Sequence, residues 1–566
     1  MKILGLNAAS HNTSATLVVD GRLIAFVEEE RFNREKYTMA FPEKSLQYCL
    51  DEGGLALSEI DLVAFAGEPG TEIVQSMIGA LRLAGRPWYR TWLRNQALVT
   101  GAFKGTRQMR RLRGRLGYTG AVRTVNHHLC HASSAFHCSP YESAAILTLD
   151  AQGDGLATGI YVGEGSQIKK VESFGFPEHS IGHMYDVVAE WLGFRPVLDA
   201  GKVMGLASYG DGATQIAKFE RFCTISNDGI VRFDLDRMKH EHNAQSSARF
   251  IELFGPPRAL GEDPTEPRFA DVAAGAQAML ERAVLALARR ARELTGQSRL
   301  CMAGGVALNS VANGKICNER IFDEVWVQPA ANDAGLALGA GLQAWHDAGG
   351  ERRFVMEHAY WGPDTATDEV RAAIEVAKAA YREVDDPSQA AAELVADGKI
   401  VGWYQGRSEV GPRSLGGRSI LADPCRAEMK AIVNRYVKHR EPFRPFAPSC
   451  VLEDADRWFE RGGPSPFMLK VWSVKPEARE RLPAITHVDG SARLQTVTAE
   501  QHPLYHRYLV ELGRRTGIAC TLNTSFNIRG EPIVNTPMDA LKCYFTTGLD
   551  ALVIDGFVLE KPATAG

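Results

Sequence analysis

The chain has 566 residues, of which 45% are hydrophobic and 23% charged, with a formal net charge of -4. That length exceeds the size at which a single hydrophobic core stops growing, so two or more domains are expected. The slightly acidic balance excludes a global attraction to nucleic acid or to an anionic membrane, and any polyanion must be met locally.

The first residues lack the basic region, long apolar stretch and cleavage site of a signal peptide, and no apolar run reaches membrane-spanning length, so a cytoplasmic protein is expected. Ten scattered cysteines without a CxxC pair predict reduced, mostly buried thiols. Residues 2–7 read as a strand, 8–14 as a polar tip, and 15–19 as a second strand ending at Asp20-Gly21. His11, at that tip, suits a general base that takes a proton from an alcohol, or is an ordinary loop histidine. Residues 81–123 interleave arginines with Trp88, Tyr89 and Trp92. They are expected to be basic amphipathic helices, either a solvated insertion over a cleft or partner subunit, or an RNA or membrane surface; the insertion is preferred.

His127 and His131 stand four apart, so on a helix both imidazoles share a face, as a divalent metal requires; packed or capping histidines are the alternative. His128 competes as a ligand, and a histidine where a zincin carries glutamate argues against a metalloprotease. A second hairpin is expected at 144–162, which suggests a duplicated lobe. Its turn carries Asp150 and Asp154 beside Gly153 and Gly155, suited to holding a metal or water near phosphates, or to turn capping. Lys202 lies among small residues, to approach phosphate or to fill a surface turn. A long helix is expected over 268–296, then a strand and the turn Gly304-Gly305, whose backbone amides could face a nucleotide. Asp333 is a third metal ligand or the N-cap of a helix beginning near Ala334.

Periodicity is lost around 346–365, which predicts a domain boundary there, with domains at 1–355 and 366–566. The second domain alternates helices and strands, for example 368–380 and 400–404, and reads as α/β. Its loops gather guanidinium groups, amides and hydroxyls at 406–419, 438–448, 487–493 and 522–532, which together suit a small phosphorylated substrate plus ATP.

The combination His127-x-x-x-His131, Gly201-Lys202-Val203-Met204, Gly304-Gly305-Val306-Ala307-Leu308-Asn309, Gly411-Pro412-Arg413-Ser414, Arg440-Glu441-x-Phe443-Arg444-Pro445-Phe446 and Leu522-Asn523-Thr524-Ser525-Phe526-Asn527 resembles the O-carbamoyltransferase family of the nodulation protein NodU and the tobramycin carbamoyltransferase. The resemblance spans nearly the whole chain. It implies an α/β protein with a two-lobed actin/sugar-kinase-like domain of duplicated lobes, followed by a YrdC-like α/β domain.

It also implies a mechanism. The second domain converts carbamoyl phosphate to carbamate and adenylates it with ATP, and carbamoyl adenylate moves through the interior to the first domain, where iron or a similar divalent ion holds it for attack by an acceptor hydroxyl. By motif, His127, His131 and Asp333 are the implied metal ligands and His11 the base. Arg413, Lys438, Arg444, Arg493, Asn523 and Ser525 are implied to hold carbamoyl phosphate and the adenylate, with Lys438 and Arg444 also catalytic. Nucleotide contacts are expected from Asp150, Gly153, Asp154, Lys202, Gly304, Gly305, Asn309, Arg418 and Asn527, with Mg2+ accompanying ATP. The expected acceptor is a hydroxylated sugar or polyketide-type natural product, its choice residing in variable loops at 71–120; a homodimer is compatible, and neither nucleic acid nor membrane is an expected partner. The rival readings are an RNA-modifying threonylcarbamoyl transferase and a non-catalytic nucleotide-gated binding module.

Overall fold

The computed structural model describes residues 1–8, 10–68, 107–234, 247–352 and 354–562. Most of the basic stretch at 81–123 and of the variable loops at 71–120 lies outside the described residues. The chain divides into two units, one of Met1–Glu29 and Tyr37–Met356, the other of Glu30–Lys36 and Glu357–Gly566. Residues 30–36 are therefore an excursion of the N-terminal chain, which a boundary drawn from lost periodicity does not reveal.

The first unit is built from two sheets of the same topology. Strands β1 (Lys2–Asn7), β2 (Ser14–Val19), β3 (Arg22–Glu28), β4 (Leu62–Ala66) and β5 (Ala121–Val125) run in the order β3-β2-β1-β4-β5. Strands β6 (Ser143–Gly153), β7 (Leu156–Glu164), β8 (Gln167–Gly175), β11 (Arg299–Ala303) and β12 (Glu324–Val327) run in the order β12-β11-β6-β7-β8, while β9 (Cys223–Ile225) and β10 (Val231–Phe233) form a separate ribbon. In both sheets three antiparallel strands are followed by two parallel ones on the far side of the first. This repetition is the duplicated-lobe architecture expected of an actin/sugar-kinase-like domain. The central strands β1 and β6 are buried along most of their length, as parallel-paired strands covered on both faces must be.

The hairpin turns follow from sequence. Asp20-Gly21 and Asp154-Gly155 both adopt positive φ at both positions, the geometry that matches strand twist in two-residue hairpins and that Asp-Gly supplies at least cost. The long helix Pro267–Thr295 opens on proline and ends at Gly296 with φ +67, close to the span its periodicity predicts. At about 1.5 Å per residue it runs for roughly 43 Å beside the second sheet. Residues 200–207 form a helix rather than a surface turn. The helix Gly335–Asp347 packs on β1, β2 and β4 and on the helix His127–Phe136. Its approach to β1 is close enough that a Cβ on Gly5 would meet the Ala337 carbonyl oxygen at 2.1 Å.

The second unit holds an eight-stranded mixed sheet. Its strands are β13 (Arg382–Glu383), β14 (Val401–Tyr404), β15 (Arg418–Ala422), β16 (Ala447–Val451), β19 (Gln495–Val497), β20 (Cys520–Ser525), β21 (Ala551–Ile554) and β22 (Phe557–Glu560), in the order β13-β22-β21-β14-β15-β20-β16-β19; β17 (Trp472–Ser473) and β18 (Ser491–Ala492) pair apart. The helices Pro387–Ala396 and Pro503–Thr516 pack together over this sheet around Trp403, Tyr505, Tyr508 and Leu512. Each begins with proline behind a capping side chain, Asp386 and His502 respectively. No helix among the described residues is long and apolar enough to cross a membrane.

Candidate active site

In the first unit, ligand atoms of His127, His131, Asp150 and Asp333 all lie within 4.8 Å of one another, and all four residues are buried. The two histidines come from one face of the helix His127–Phe136, started by Asn126, whose side chain accepts from the Leu129 amide. Asp150 lies inside β6, where the register with β7 shifts between Leu149 and Gly153. Its Oδ2 stands 3.1 Å from His127 Nε2 and 3.0 Å from His131 Nε2. Asp333 Oδ1 is 3.9 and 3.8 Å from the same nitrogens. The helix after Asp333 starts at Gly335 with no side-chain cap, so the carboxylate is not consumed as an N-cap.

Two nitrogens and two carboxylates at these separations fit a divalent transition metal, whose ligands at about 2.0–2.2 Å define a polyhedron with edges of roughly 3–4 Å. The electrostatics agree with that fit. Burial alone would lower the His127 pKa, but the hydrogen bond to Asp150 and the charges of Asp333 and Asp150 raise it to about 9. Burial likewise opposes ionisation of Asp150, yet the hydrogen bonds from His127 and His131 hold its carboxyl well below the usual range. Two buried carboxylates thus demand positive charge between them. His128, the competing ligand, turns its Nδ1 to Thr148 Oγ1 at 2.8 Å.

Gly153 is required by packing, since a Cβ there would meet the His127 ring at 2.1 Å. Asp154 is spent as a cap: it accepts from the backbone amides of Glu68 and His127 and from Asn126. Gly304 has φ +94, and its side-chain direction is closed by the Leu149 carbonyl. Gly305 lies beside Asp150, so the glycine turn and the acidic strand end do converge. Asn309 caps the helix Ser310–Asn318 and exchanges hydrogen bonds with Gln277. Lys202 pairs with Asp199 at 3.4 Å.

His11 stands at the rim of this cluster. Its side chain is 35% exposed and its Nε2 lies 3.8 Å from Asp333 Oδ2. Its Nδ1 lies 2.8 Å from Asn12 Oδ1, an acceptor that favours the proton on Nδ1, so the neutral ring presents its Nε2 lone pair to an incoming hydroxyl. Burial pulls the His11 pKa down, and the nearby Asp333 carboxylate and the Asn12 bond outweigh it and raise it. Asn12 holds φ +56, a conformation that asparagine tolerates better than most side chains. The buried Asn7 amide donates to the carbonyls of His11, Asn12 and Asp333, which ties the hairpin tip to the metal ligand. Sequence set Asn7 and Asn12 apart, as amides where relatives can carry His-Asp, without giving either a role; the hydrogen bonds supply it.

In the second unit, Arg413, Lys438, Arg440, Arg444 and Arg493 crowd together. Burial first, then Arg413, Arg440 and Arg444, pulls the Arg493 pKa well down; burial and Arg444 do the same to Arg440. Guanidinium groups stay protonated in proteins, so this crowding persists as mutual repulsion. Lys438 is buried, and its ammonium donates to the Ser525 carbonyl and Oγ and to the Asn527 carbonyl and Oδ1, at 2.5–3.2 Å. Asn523 is locked under the site by bonds to Ser414, Ser449 and Gln495. Asn434 accepts from Arg440 Nε at 2.6 Å and donates to the Arg444 carbonyl, and so sets two of the cations at once. Arg440 and Asn434 had no assigned role in the sequence reading. Arg418 differs from its neighbours: it is 0% exposed, its fork donates to the carbonyls of Gln405, Gly417 and Pro363, and it lies 3.5 Å over the Tyr404 ring.

Comparison with known proteins gives this arrangement a family. Residues 2–342 match the family model Carbamoyltransferase N-terminus, and residues 392–561 match Carbamoyltransferase C-terminus. The nodulation protein NolNO of Sinorhizobium fredii is 40% identical over 98% of this chain and 80% of its own length. The nodulation protein U of the same organism is 30% identical over the whole of both chains, and an uncharacterized Synechocystis protein, sll1178, is 37% identical over 99% of this chain and 97% of its own. With both halves matched and four-fifths or more of each of these relatives covered, the chain belongs to the carbamoyltransferase family and is a carbamoyltransferase.

Proposed function

We propose that the chain uses carbamoyl phosphate and ATP to make carbamoyl adenylate in its second unit, read as a YrdC-like domain, and transfers the carbamoyl group to a hydroxyl in its first. The observation that carries this reading is the crowding of five cations, Arg413, Lys438, Arg440, Arg444 and Arg493, around loops that supply amides and hydroxyls. Such repulsion is relieved by a ligand rich in phosphate oxygens, and bidentate forks suit phosphate. Carbamoyl phosphate plus water gives carbamate and phosphate; carbamate attacks the α-phosphorus of ATP and expels pyrophosphate. Arg413, Lys438, Arg444 and Arg493 neutralise the phosphate oxygens while Asn523 and Ser525 fix the orientation, with Mg2+ accompanying ATP.

In the first unit His127, His131, Asp150 and Asp333 would hold a divalent ion such as iron, which supplies Lewis acidity toward the carbamoyl carbonyl. His11 Nε2 takes the proton of the acceptor hydroxyl as its oxygen attacks the carbamoyl carbon, and AMP leaves. Gly304, Gly305 and Asn309 are read as the nucleotide side of this site. The acceptor assigned by the family resemblance is a hydroxyl of a sugar or polyketide-type natural product made in secondary metabolism. Carbamoyl phosphate-dependent release of pyrophosphate from ATP tests the reading directly. Arg444→Ala should abolish that release, and release at the wild-type rate from the variant would refute the assignment.

A further inference from the structure

The excursion Glu30–Lys36 belongs to the second unit although it lies between strands of the first in sequence. Arg31, 2% exposed, donates from Nη2 to the Gly411 carbonyl at 2.7 Å. Gly411 has φ +88 and is followed by Pro412 and then Arg413, so a bond to its carbonyl acts on a turn with little freedom two residues before a pocket cation. Arg34 donates from Nη1 to the Ile533 carbonyl at 2.7 Å and from Nη2 to the Pro532 carbonyl at 2.9 Å, and its Nε lies 3.4 Å from Asp539. The loop it grips is closed by Val534 N donating to the Phe526 carbonyl and by Asn527 Nδ2 donating to the Glu531 carbonyl. The opposite limb of that loop, Ser525 and Asn527, receives the Lys438 ammonium. Arg34 itself sits at φ +62, a conformation that a non-glycine residue keeps only where its surroundings over-determine it.

We infer that Glu30–Lys36 is a clamp on the anion pocket, in which Arg31 and Arg34 are positioning residues: Arg31 holds the turn that aims Arg413, and Arg34 holds the loop that seats Lys438. Neither guanidinium needs to touch substrate. Both donate to main-chain carbonyls, Arg31 in the loop that carries Arg413 and Arg34 in the loop that receives Lys438. This inference rests on the adenylation reading for its substrate, and on geometry alone for the clamp.

Misplacement of a binding group by about 1 Å costs up to roughly a hundredfold in rate or affinity. Arg31→Ala is expected to raise the KM for carbamoyl phosphate in pyrophosphate release by about tenfold or more, with kcat for hydroxyl transfer from preformed adenylate unchanged and the melting temperature close to wild type. Arg31→Lys, which still donates to the Gly411 carbonyl, should recover most of the KM and carries the test if Arg31→Ala fails to fold. Arg34→Ala should weaken binding of inorganic pyrophosphate, read by calorimetry without turnover. Folded variants with wild-type KM and wild-type pyrophosphate affinity would overturn the clamp. A wild-type protein that binds pyrophosphate and loses that binding in the variants, yet releases none from ATP, would keep the clamp and reject the adenylation reading.

Discussion

Gly339 lies directly against Cys130: a Cβ on Gly339 would sit 1.8 Å from the Cys130 carbonyl oxygen. This contact lets the helix Gly335–Asp347 touch the helix His127–Phe136 backbone to backbone, one residue before His131 and a turn and a half after Asp333. Helix propensity alone favours alanine over glycine by about 1 kcal/mol. A backbone clash at 1.8 Å cannot be relieved by a rotamer change, so Gly339→Ala is expected to destabilise by more than that gain, about 2 kcal/mol or more, and to lower bound metal. Chemical denaturation and metal analysis of the purified variant check both, and a variant as stable and as metal-rich as wild type would show that the helices are free to part.

Asp150 is the ligand shared most closely by the two imidazoles. Asp150→Asn keeps shape and removes the charge, so it should lower metal content strongly, whereas Asp154→Asn, which changes a cap, should cost stability and leave the metal in place. Equal metal loss in the two variants would mean that the loop, and not the ligand set, governs occupancy.

Asn12 fixes the ring of His11 through a single bond at 2.8 Å. Asn12→Ala frees the imidazole to adopt the other tautomer, and should slow hydroxyl transfer by about ten- to a hundredfold while pyrophosphate release stays at the wild-type rate. Loss of both activities together would place Asn12 in folding and not in orientation of the base.

The Lys438 pKa is pulled well below its ordinary value, first by burial and then by Arg440, with Arg444 adding to it. A polyanion in the pocket reverses the cationic part of that shift, so ligand binding takes up a proton wherever the free lysine is neutral. Affinity for inorganic pyrophosphate should therefore fall as pH rises through the lowered pKa. Calorimetry in two buffers of different ionisation heat measures the proton directly. Identical heats across the alkaline range would show that Lys438 keeps its charge with or without ligand.

Sequence pattern was enough for the elements with strong periodicity. The Asp-Gly hairpins and the alanine-rich helix Pro267–Thr295 stand where alternation and capping place them, and the pair His127 and His131 was legible from spacing because an i, i+4 pair on a helix shares a face. Asp150 and Asp154 were read together, for a metal or water near phosphates or for turn capping, because both stand beside glycines; the extra residues in β6 that aim Asp150 at the two imidazoles leave no mark in a hydrophobicity pattern, so sequence did not separate the ligand from the cap. Arg418 sits in an arginine-rich loop like its neighbours, and only the fold shows that its donors are used on main-chain carbonyls. The excursion at residues 30–36 was invisible for a related reason, since partners such as Arg31 and Gly411 are joined by tertiary structure alone.

His502 makes acid stability a local and testable matter. Its Nδ1 accepts from the Tyr505 amide and so caps the helix Pro503–Thr516, which requires a neutral ring with its proton on Nε2. Burial lowers its pKa, and Arg418 and His358 reinforce that against the opposing bond to Gly416, to about 4. The unfolded chain, with a pKa near 6.5, takes up the proton first, so the stabilisation is complete above pH 6.5 and is lost as pH falls from there toward 4. Each pH unit within that window is worth about 1.4 kcal/mol, so unfolding free energy should drop by about 1 kcal/mol between pH 7.5 and 5.5 from this residue alone. His502→Asn keeps a capping oxygen and removes the titration, and urea unfolding at the two pH values should show a smaller drop in the variant by that amount. Equal drops in the two proteins would mean that the capping ring accepts its proton in the folded state without cost.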